Sequence, residues 1–368
     1  MDLVGSGGRA AGLGLLLVFG VACNKASHET PRPAPSVSPS ALASAAVARY
    51  AEWGAKSYPL PSSRGPVNLE LITYDGAAGR VWIPLLDTGS VGVFTIATST
   101  FTEVSGFKTT EVGGRRGLHM EGPHAAAVGD GVVYIGNRAA GEVCVVDEAT
   151  LQRGWCLHIP SAPDVLTYVA ASKELWVTTP WEDSIVVLDA SKPDKLETKL
   201  VIKAGGLPEE CALDPLHGRF YTKLATKSRV FAFDVKTHAL LTSWPFGCND
   251  MVAGSAGIAV DSARDFVFVA CINNGLEVHD GAHDGALLGK LDTGAGVYGI
   301  DYVAATKRLY VTGRASRLST VEISDGGVPA VAETTHIPEG ARNAVADSKG
   351  AIFIVDQQTA RLLVFAPK

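Results

Sequence analysis

Only three methionines and 7% aromatic residues occur in this 368-residue chain, a composition that argues neither for nor against a sugar-binding surface. There is no run of Lys or Arg, and the net charge of −6 is spread along the sequence. Nucleic-acid readers gather positive charge into a patch, so nucleic acid is not an expected partner. No glycine-rich loop follows a strand and opens a helix to cradle a phosphate, and no GxSxG elbow is present to present a nucleophile. CxxC and HExxH spacings, which would announce a metal, are also missing. The one small-and-apolar stretch near the start, residues 10–22, is too short to cross a bilayer.

What the sequence does carry is a period. An aromatic residue preceded by an apolar one returns at Trp82, Tyr134, Trp176, Tyr221, Phe268, Tyr310 and Phe353, in steps of 52, 42, 45, 47, 42 and 43 residues. Around each anchor stand an apolar-aromatic run, a polar turn and a second β-rich run, as in ELWVTTPWEDSIVVLD from Glu174. Val, Ile, Phe, Tyr and Trp suit half-buried pleated positions, and the polar interval supplies turn conformations. A shorter apolar strand precedes each pair and a more polar one follows it. Repeats of this length cannot bury their sheet faces singly, and they predict an all-β fold. That fold is a seven-bladed β-propeller of four-stranded antiparallel blades. The last unit stops at Lys368 after its third strand, so the chain near 53–58 is expected to supply the fourth and close the ring.

The units resemble the YVTN family of seven-bladed propeller repeats, through LYVTG at 309–313, VVYIGN at 132–137, and the closing VVD at 145–147 and VLD at 187–189. The resemblance runs from about Pro66 to the end and implies the fold. It leaves activity open, because that superfamily includes surface-layer proteins, periplasmic proteins and lactonase-like enzymes.

Residues 1–22 read as a signal peptide. They end in Gly20-Val21-Ala22-Cys23, which resembles a bacterial lipobox with Cys23 as the lipidated residue, although Gly20 stands where Leu is usual. A Pro/Ser/Ala-rich linker, 23–47, is expected to be a disordered or extended tether, with the propeller from 48 to 368. Asn24 resembles an outer-membrane sorting residue. The expected location is therefore the cell envelope, with the membrane engaged through the N-terminal lipid.

Export permits disulfides. Cys144 and Cys156 lie on consecutive strands and are expected to pair across one hairpin. Cys211, Cys248 and Cys271 form an odd set in which Cys248 pairs with either of the others.

Crossings between blades converge on one face of a propeller. The residues before each innermost strand therefore map the channel mouth: Val67-Asn68, His124-Ala125, Asp164-Val165, Glu209-Glu210, Ala256-Gly257, Tyr298-Gly299 and Arg342-Asn343. The ligand-binding candidates are Asn68, His124, Asp164, Glu209, Glu210, Tyr298, Arg342 and Asn343. Within them Glu209, Glu210, Asp164 and His124 have the chemistry to hold a divalent cation such as Ca²⁺ or Zn²⁺. The same carboxylates, crowded together, would raise one another's pKa and serve as an acid or base. The insertion at 108–119, KTTEVGGRRGLH, accounts for the 52-residue step and is expected to be a mobile loop or a lid. The segment HDGAHD at 279–284 looks metal-like, but Asp280 aligns with Asp147, Asp189 and Asp234 as a turn residue. The leading expectation is a binding or scaffold module for a protein or glycan partner. The alternative is a metal-dependent hydrolase, lactonase or lyase with its site at the mouth.

Overall fold

Seven four-stranded antiparallel sheets follow one another along the chain and form a ring. The structure, a computed structural model, describes residues 39–367 apart from 64, 115–116, 248–256, 273–274, 294–296 and 314–315. The signal peptide, Cys23, Cys248, Arg115 and Arg116 lie outside the described residues. Blade three shows the pattern. Leu166–Val169 is innermost, Glu174–Thr179 and Ser184–Asp189 are the middle strands, and Glu197–Lys203 is the outer edge.

The seven anchors all fall in second strands and are all buried. Alternation of side chains along a strand sends neighbours to opposite faces. In blade one Val81 and Ile83 enter the core shared with blade seven, while Trp82 enters the core shared with blade two. Each seam between blades has its own apolar cluster, so no blade is stable without both neighbours. Burial of each anchor contributes about 2–3 kcal/mol.

The aspartates that end the third strands are turn formers, as the alignment predicts. The Oδ1 atoms of Asp147, Asp189, Asp234 and Asp280 accept from the backbone N–H groups of Thr150, Ser191, Thr237 and Ala282, at 2.6–2.9 Å.

The strand Ala55–Pro59 pairs with Arg361–Phe365 and completes blade seven. Pairing the two ends removes an exposed edge. A helix, Pro39–Glu52, precedes that strand. It begins inside the stretch expected to be an extended tether, so the tether reading does not hold from Pro39 onward. Alanine is the strongest helix former and proline is tolerated in a first helical turn, so PSALASAAVARYAE is helical where its small residues suggested a linker. Ala46 and Tyr50 are buried against blades six and seven. The Tyr50 hydroxyl donates to Asp356 and lies 2.8 Å from Thr359 Oγ1, and Trp53 stacks on His336. Between blades one and two, the chain that contains the insertion forms a hairpin of Thr110–Gly114 and Gly117–Glu121.

Candidate functional site at the channel mouth

Strand register defines the mouth. Ala127, Thr167, Ala212, Asp301 and Val345 of the innermost strands lie opposite the anchors Tyr134, Trp176, Tyr221, Tyr310 and Phe353. Three residues earlier come His124, Asp164, Glu209, Tyr298 and Arg342. In blade one Thr73 lies opposite Trp82, so the equivalent residue is Glu70. These six side chains form a ring of matched positions; the seventh, Ala256, lies outside the described residues.

Bulges aim several of them. Register shifts between Pro123 and Ala125, between Pro208 and Cys211, and between Val297 and Gly299. His124, the Glu209-Glu210 pair and Tyr298 are thereby released from the ladder, as a bulge releases residues next to a site. Close approach explains the glycine after Tyr298. A Cβ on Gly299 would stand 1.9 Å from Asn343 Oδ1 and 3.1 Å from the Arg342 carbonyl.

Neighbours in the ring touch. Arg342 Nη1 lies 2.7 and 2.5 Å from the two Glu70 carboxylate oxygens, and its guanidinium sits 5.7 Å over the Tyr298 ring. Asn343 donates from its amide to the Glu70 carbonyl. His124 Nδ1 is 3.1 Å from the Asp164 carbonyl. A carbonyl only accepts, so Nδ1 carries the proton and Nε2 is left to accept from Arg138 Nη1 at 3.2 Å. Arg138 also approaches Asp164 at 3.5 Å and Glu121 at 3.7 Å. Glu121 ends the hairpin, which thereby contributes a carboxylate to the rim.

Charge is unevenly matched. Burial, with the charges of Arg138 and Arg342, pushes His124 down to about 3 and keeps it neutral. Burial also lifts Asp164 to about 7; Arg138 opposes this, and Glu209, Glu70 and Glu121 reinforce it. Glu210 is lifted to about 8 by burial and by Asp164, with Lys223 opposing and Glu209 and Glu70 adding. Glu209 Oε2 is enclosed and has no hydrogen-bond partner. Beneath the ring the channel opens into a cavity of ≈ 370 Å³, whose lining includes Leu71, Ala125, Val165, Leu166 and Glu210. A second stretch, of ≈ 490 Å³, is lined by residues that include Tyr74, Asp301 and Val345. Burial lifts Asp301 to about 6 against a hydrogen bond from the Ala346 amide.

Several sequence expectations are refined. Asn68 is not in the ring: it is exposed, and its amide nitrogens bind the Asp87 carboxylate in blade one's own loop. Asn343 ties blade seven to blade one. The mouth donors Glu209, Glu210, Asp164 and His124 do not form a three-donor group within 4.8 Å. Among the described residues such groups are Asp214–His217–Asp265 and Glu142–Cys144–Cys156. The first is occupied by Arg219, 2.9 Å from both Asp265 oxygens, and the second contains a disulfide. Cys144 and Cys156 are bonded as expected. Cys271 is disulfide-bonded. Cys211 is a free thiol, which removes it from the pairing alternatives. It lies 3.1 Å from Thr167 Oγ1, and burial, with Glu210 and Asp164 nearby, pushes it up to about 12.

No protein-family model matches the sequence, and no curated protein does. Solved structures match the fold. A chain of a mitotic checkpoint complex aligns with a TM-score of 0.68 at 11% identity, covering 85% of this chain and 95% of that one. Hydrazine synthase of Kuenenia stuttgartiensis gives 0.67 at 14%, covering 82% and 96%. The β-propeller domain of Myceliophteria thermophila Cps50 (Swd1) gives 0.63 at 10%, covering 83% and 98%. At these identities the shared property is the seven-bladed propeller itself.

Proposed function

We propose that this is an exported, lipid-anchored propeller with YVTN-type repeats that binds a protein or glycan partner of the cell envelope at its channel mouth. The observation that carries the proposal is the ring Glu70, His124, Asp164, Glu209, Tyr298 and Arg342. It sets mixed charge and an aromatic face around an open channel. The Cys144–Cys156 bridge and the bonded Cys271 suit an oxidising compartment, and the lipobox-like Cys23 suits anchoring. Cys211 is held as a thiol, and the free nitrogen of His124 is taken by Arg138. One of the matching propellers sits in a checkpoint complex, in keeping with a role in assembly.

The test is site-specific photo-crosslinking in the envelope, with the crosslinker at Tyr298 and, as control, at Leu216 on the opposite face. A discrete adduct at 298 and none at 216 is expected. Adducts at neither position, or the same adducts at both, would sink the proposal. The raised pKa values of Asp164 and Glu210 favour one other reading, the metal-dependent hydrolase, lactonase or lyase. It predicts stoichiometric bound metal in the purified chain, lost on Glu209→Gln/Glu210→Gln.

A further inference from the structure

Blade two carries four metal-binding side chains on one face of a single strand pair. Its third strand, Glu142–Asp147, runs against its outer strand, Arg153–His158, so that Glu142 lies opposite His158 and Cys144 opposite Cys156. Side chains two apart on a strand share a face, and so do directly opposed ones. That face meets blade one: Cys144 and Cys156 pack in the core that Trp82, Val91 and Phe107 fill. A Glu142 carboxylate oxygen and the two sulfurs lie within 4.8 Å of one another. Bonds of about 2.0–2.3 Å to a shared ion draw tetrahedral donors only slightly closer than that, a change that side-chain rotation supplies. His158 is exposed one pair along, its ring beside Gly141, where a Cβ would stand 3.2 Å from Cε1. Two further observations point to a ligand. Asn137, in the second strand, flanks Glu142 on its other side; it is 0% exposed, and neither amide atom has a hydrogen-bond partner among the described residues. Its N–H groups suit a carboxylate that has turned toward a cation, the outer contact that orients a metal ligand. Arg153 Nη1 lies 3.6 Å from Cys156 Sγ and favours that sulfur as a thiolate, the form that binds metal.

We infer that blade two holds a Zn²⁺-type cation once its disulfide is reduced, with Cys144, Cys156, Glu142 and His158 as ligands and Asn137 orienting Glu142. Two thiolates and an imidazole select a borderline-soft ion of this kind over Ca²⁺ or Mg²⁺. Bridge and ion are alternatives for the same two sulfurs. A dithiol supplies the electrons: one of its thiolates attacks the half-buried Cys156 Sγ, the S–S bond breaks, and Cys144 leaves as a thiolate and takes a proton. The second thiol then closes on the first and releases Cys156, which takes the other proton. The dithiol ends as a disulfide, the chain gains two thiols, and the cation displaces their two protons. The site lies in the seam between blades one and two and asks nothing of the channel mouth.

The experiment is a Co²⁺ titration of the full chain after reduction with dithiothreitol and its removal by gel filtration under argon. The oxidised chain and a reduced Cys144→Ala/Cys156→Ala variant are titrated alongside, so that metal on any other cysteine is subtracted. The reduced chain is expected to take about one equivalent more than the double variant, with a thiolate-to-cobalt charge-transfer band and the visible bands of tetrahedral cobalt. Zn²⁺ should bleach both, and the oxidised chain should show neither. Glu142→Gln and His158→Ala should each weaken Co²⁺ binding about tenfold or more, and Asn137→Leu about tenfold. Equal uptake by the double variant, the same bands in the oxidised chain, or unchanged affinity in both Glu142→Gln and His158→Ala would overturn the inference. So would loss of the metal on Glu209→Gln/Glu210→Gln, which would place it at the mouth and favour the enzyme reading instead.

Discussion

Buried carboxylates occur in two settings in this propeller, and they are treated oppositely. In the seam between blades four and five, Glu277 is almost fully enclosed. It accepts from His279 Nε2 at 3.0 Å, Lys290 at 2.6 Å and the Gly247 amide at 3.0 Å. Burial works against its charge, but these donors outweigh burial and hold its pKa at about 2. Glu174 repeats the device between blades three and four, with Lys199, His238 and Trp176 as donors, and its pKa is likewise lowered. At the mouth, Asp164 and Glu210 are part-buried and short of donors, and they are raised. The seams use carboxylates as joints. The mouth leaves them short of donors, an exception to the rule that the seams follow.

The largest effect should come from making the same change in both settings. Glu277→Gln strands the donors of His279 and Lys290 in a seam, and a broken buried pair costs about 3–5 kcal/mol. Glu210→Gln replaces a carboxyl that burial already holds protonated at neutral pH and should leave the melting temperature unchanged or raised. A Glu277→Gln variant as stable as the parent would erase the distinction drawn here.

The pH dependence sharpens it, with a smaller effect. Asp164 and Glu210 are raised above the ordinary carboxylate range, so the folded chain holds protons that the unfolded chain has lost. That contribution to stability is complete below about pH 4 and is lost as pH rises to 7–8. Glu277 works the other way: its contribution is present above about pH 4.5 and is lost as pH falls toward 2. The double variant Asp164→Asn/Glu210→Gln should therefore flatten the fall in melting temperature between pH 5 and 8 and leave acid unfolding untouched. An unaltered profile on the alkaline side would mean that these carboxyls do not titrate there.

Third comes the closure of the ring. Tyr50→Phe removes the donor to Asp356, which is 5% exposed, and should lower stability by about 1–2 kcal/mol in thermal melts. No change would show that the helix is an ornament on a ring already closed by Ala55–Pro59.

The period of the anchors was enough to read the blades, because each anchor fills a seam and seams repeat. Most of the ring was legible for the same reason: Asp164, Glu209 and Tyr298 each stand twelve residues before their anchors Trp176, Tyr221 and Tyr310. Counting the same twelve back from Trp82 reaches Glu70, the residue overlooked in favour of Asn68. Arg138, Glu121 and Lys223 obey no such count. Arg138 follows the end of a second strand, Glu121 ends the hairpin between blades one and two, and Lys223 stands in a second strand opposite a bulge. Their arrival at the mouth depends on three-dimensional bending that periodicity does not encode. The pairing of donors with carboxylates, and hence the direction of each pKa shift, was illegible for the same reason.

The smallest effect concerns the segment HDGAHD, whose two histidines look equivalent in sequence. His279 is 2% exposed and is held from both ring nitrogens, by Glu277 Oε2 and by the Gly285 carbonyl at 2.9 Å. The His283 side chain is 78% exposed, and its only described partner is Asp280, three residues back, which already serves the turn through its other oxygen. An ion pair in that position is worth less than about 1 kcal/mol, because water screens it and an exposed side chain loses entropy to form it. His283→Ala should therefore leave the melting temperature within about a degree of the parent, and zinc should not distinguish the two proteins. His279→Ala should cost several degrees, since it opens a packed seam and strips a donor from Glu277. Equal losses at the two positions would mean that the turn, and not the seam, is what this stretch of sequence holds in place.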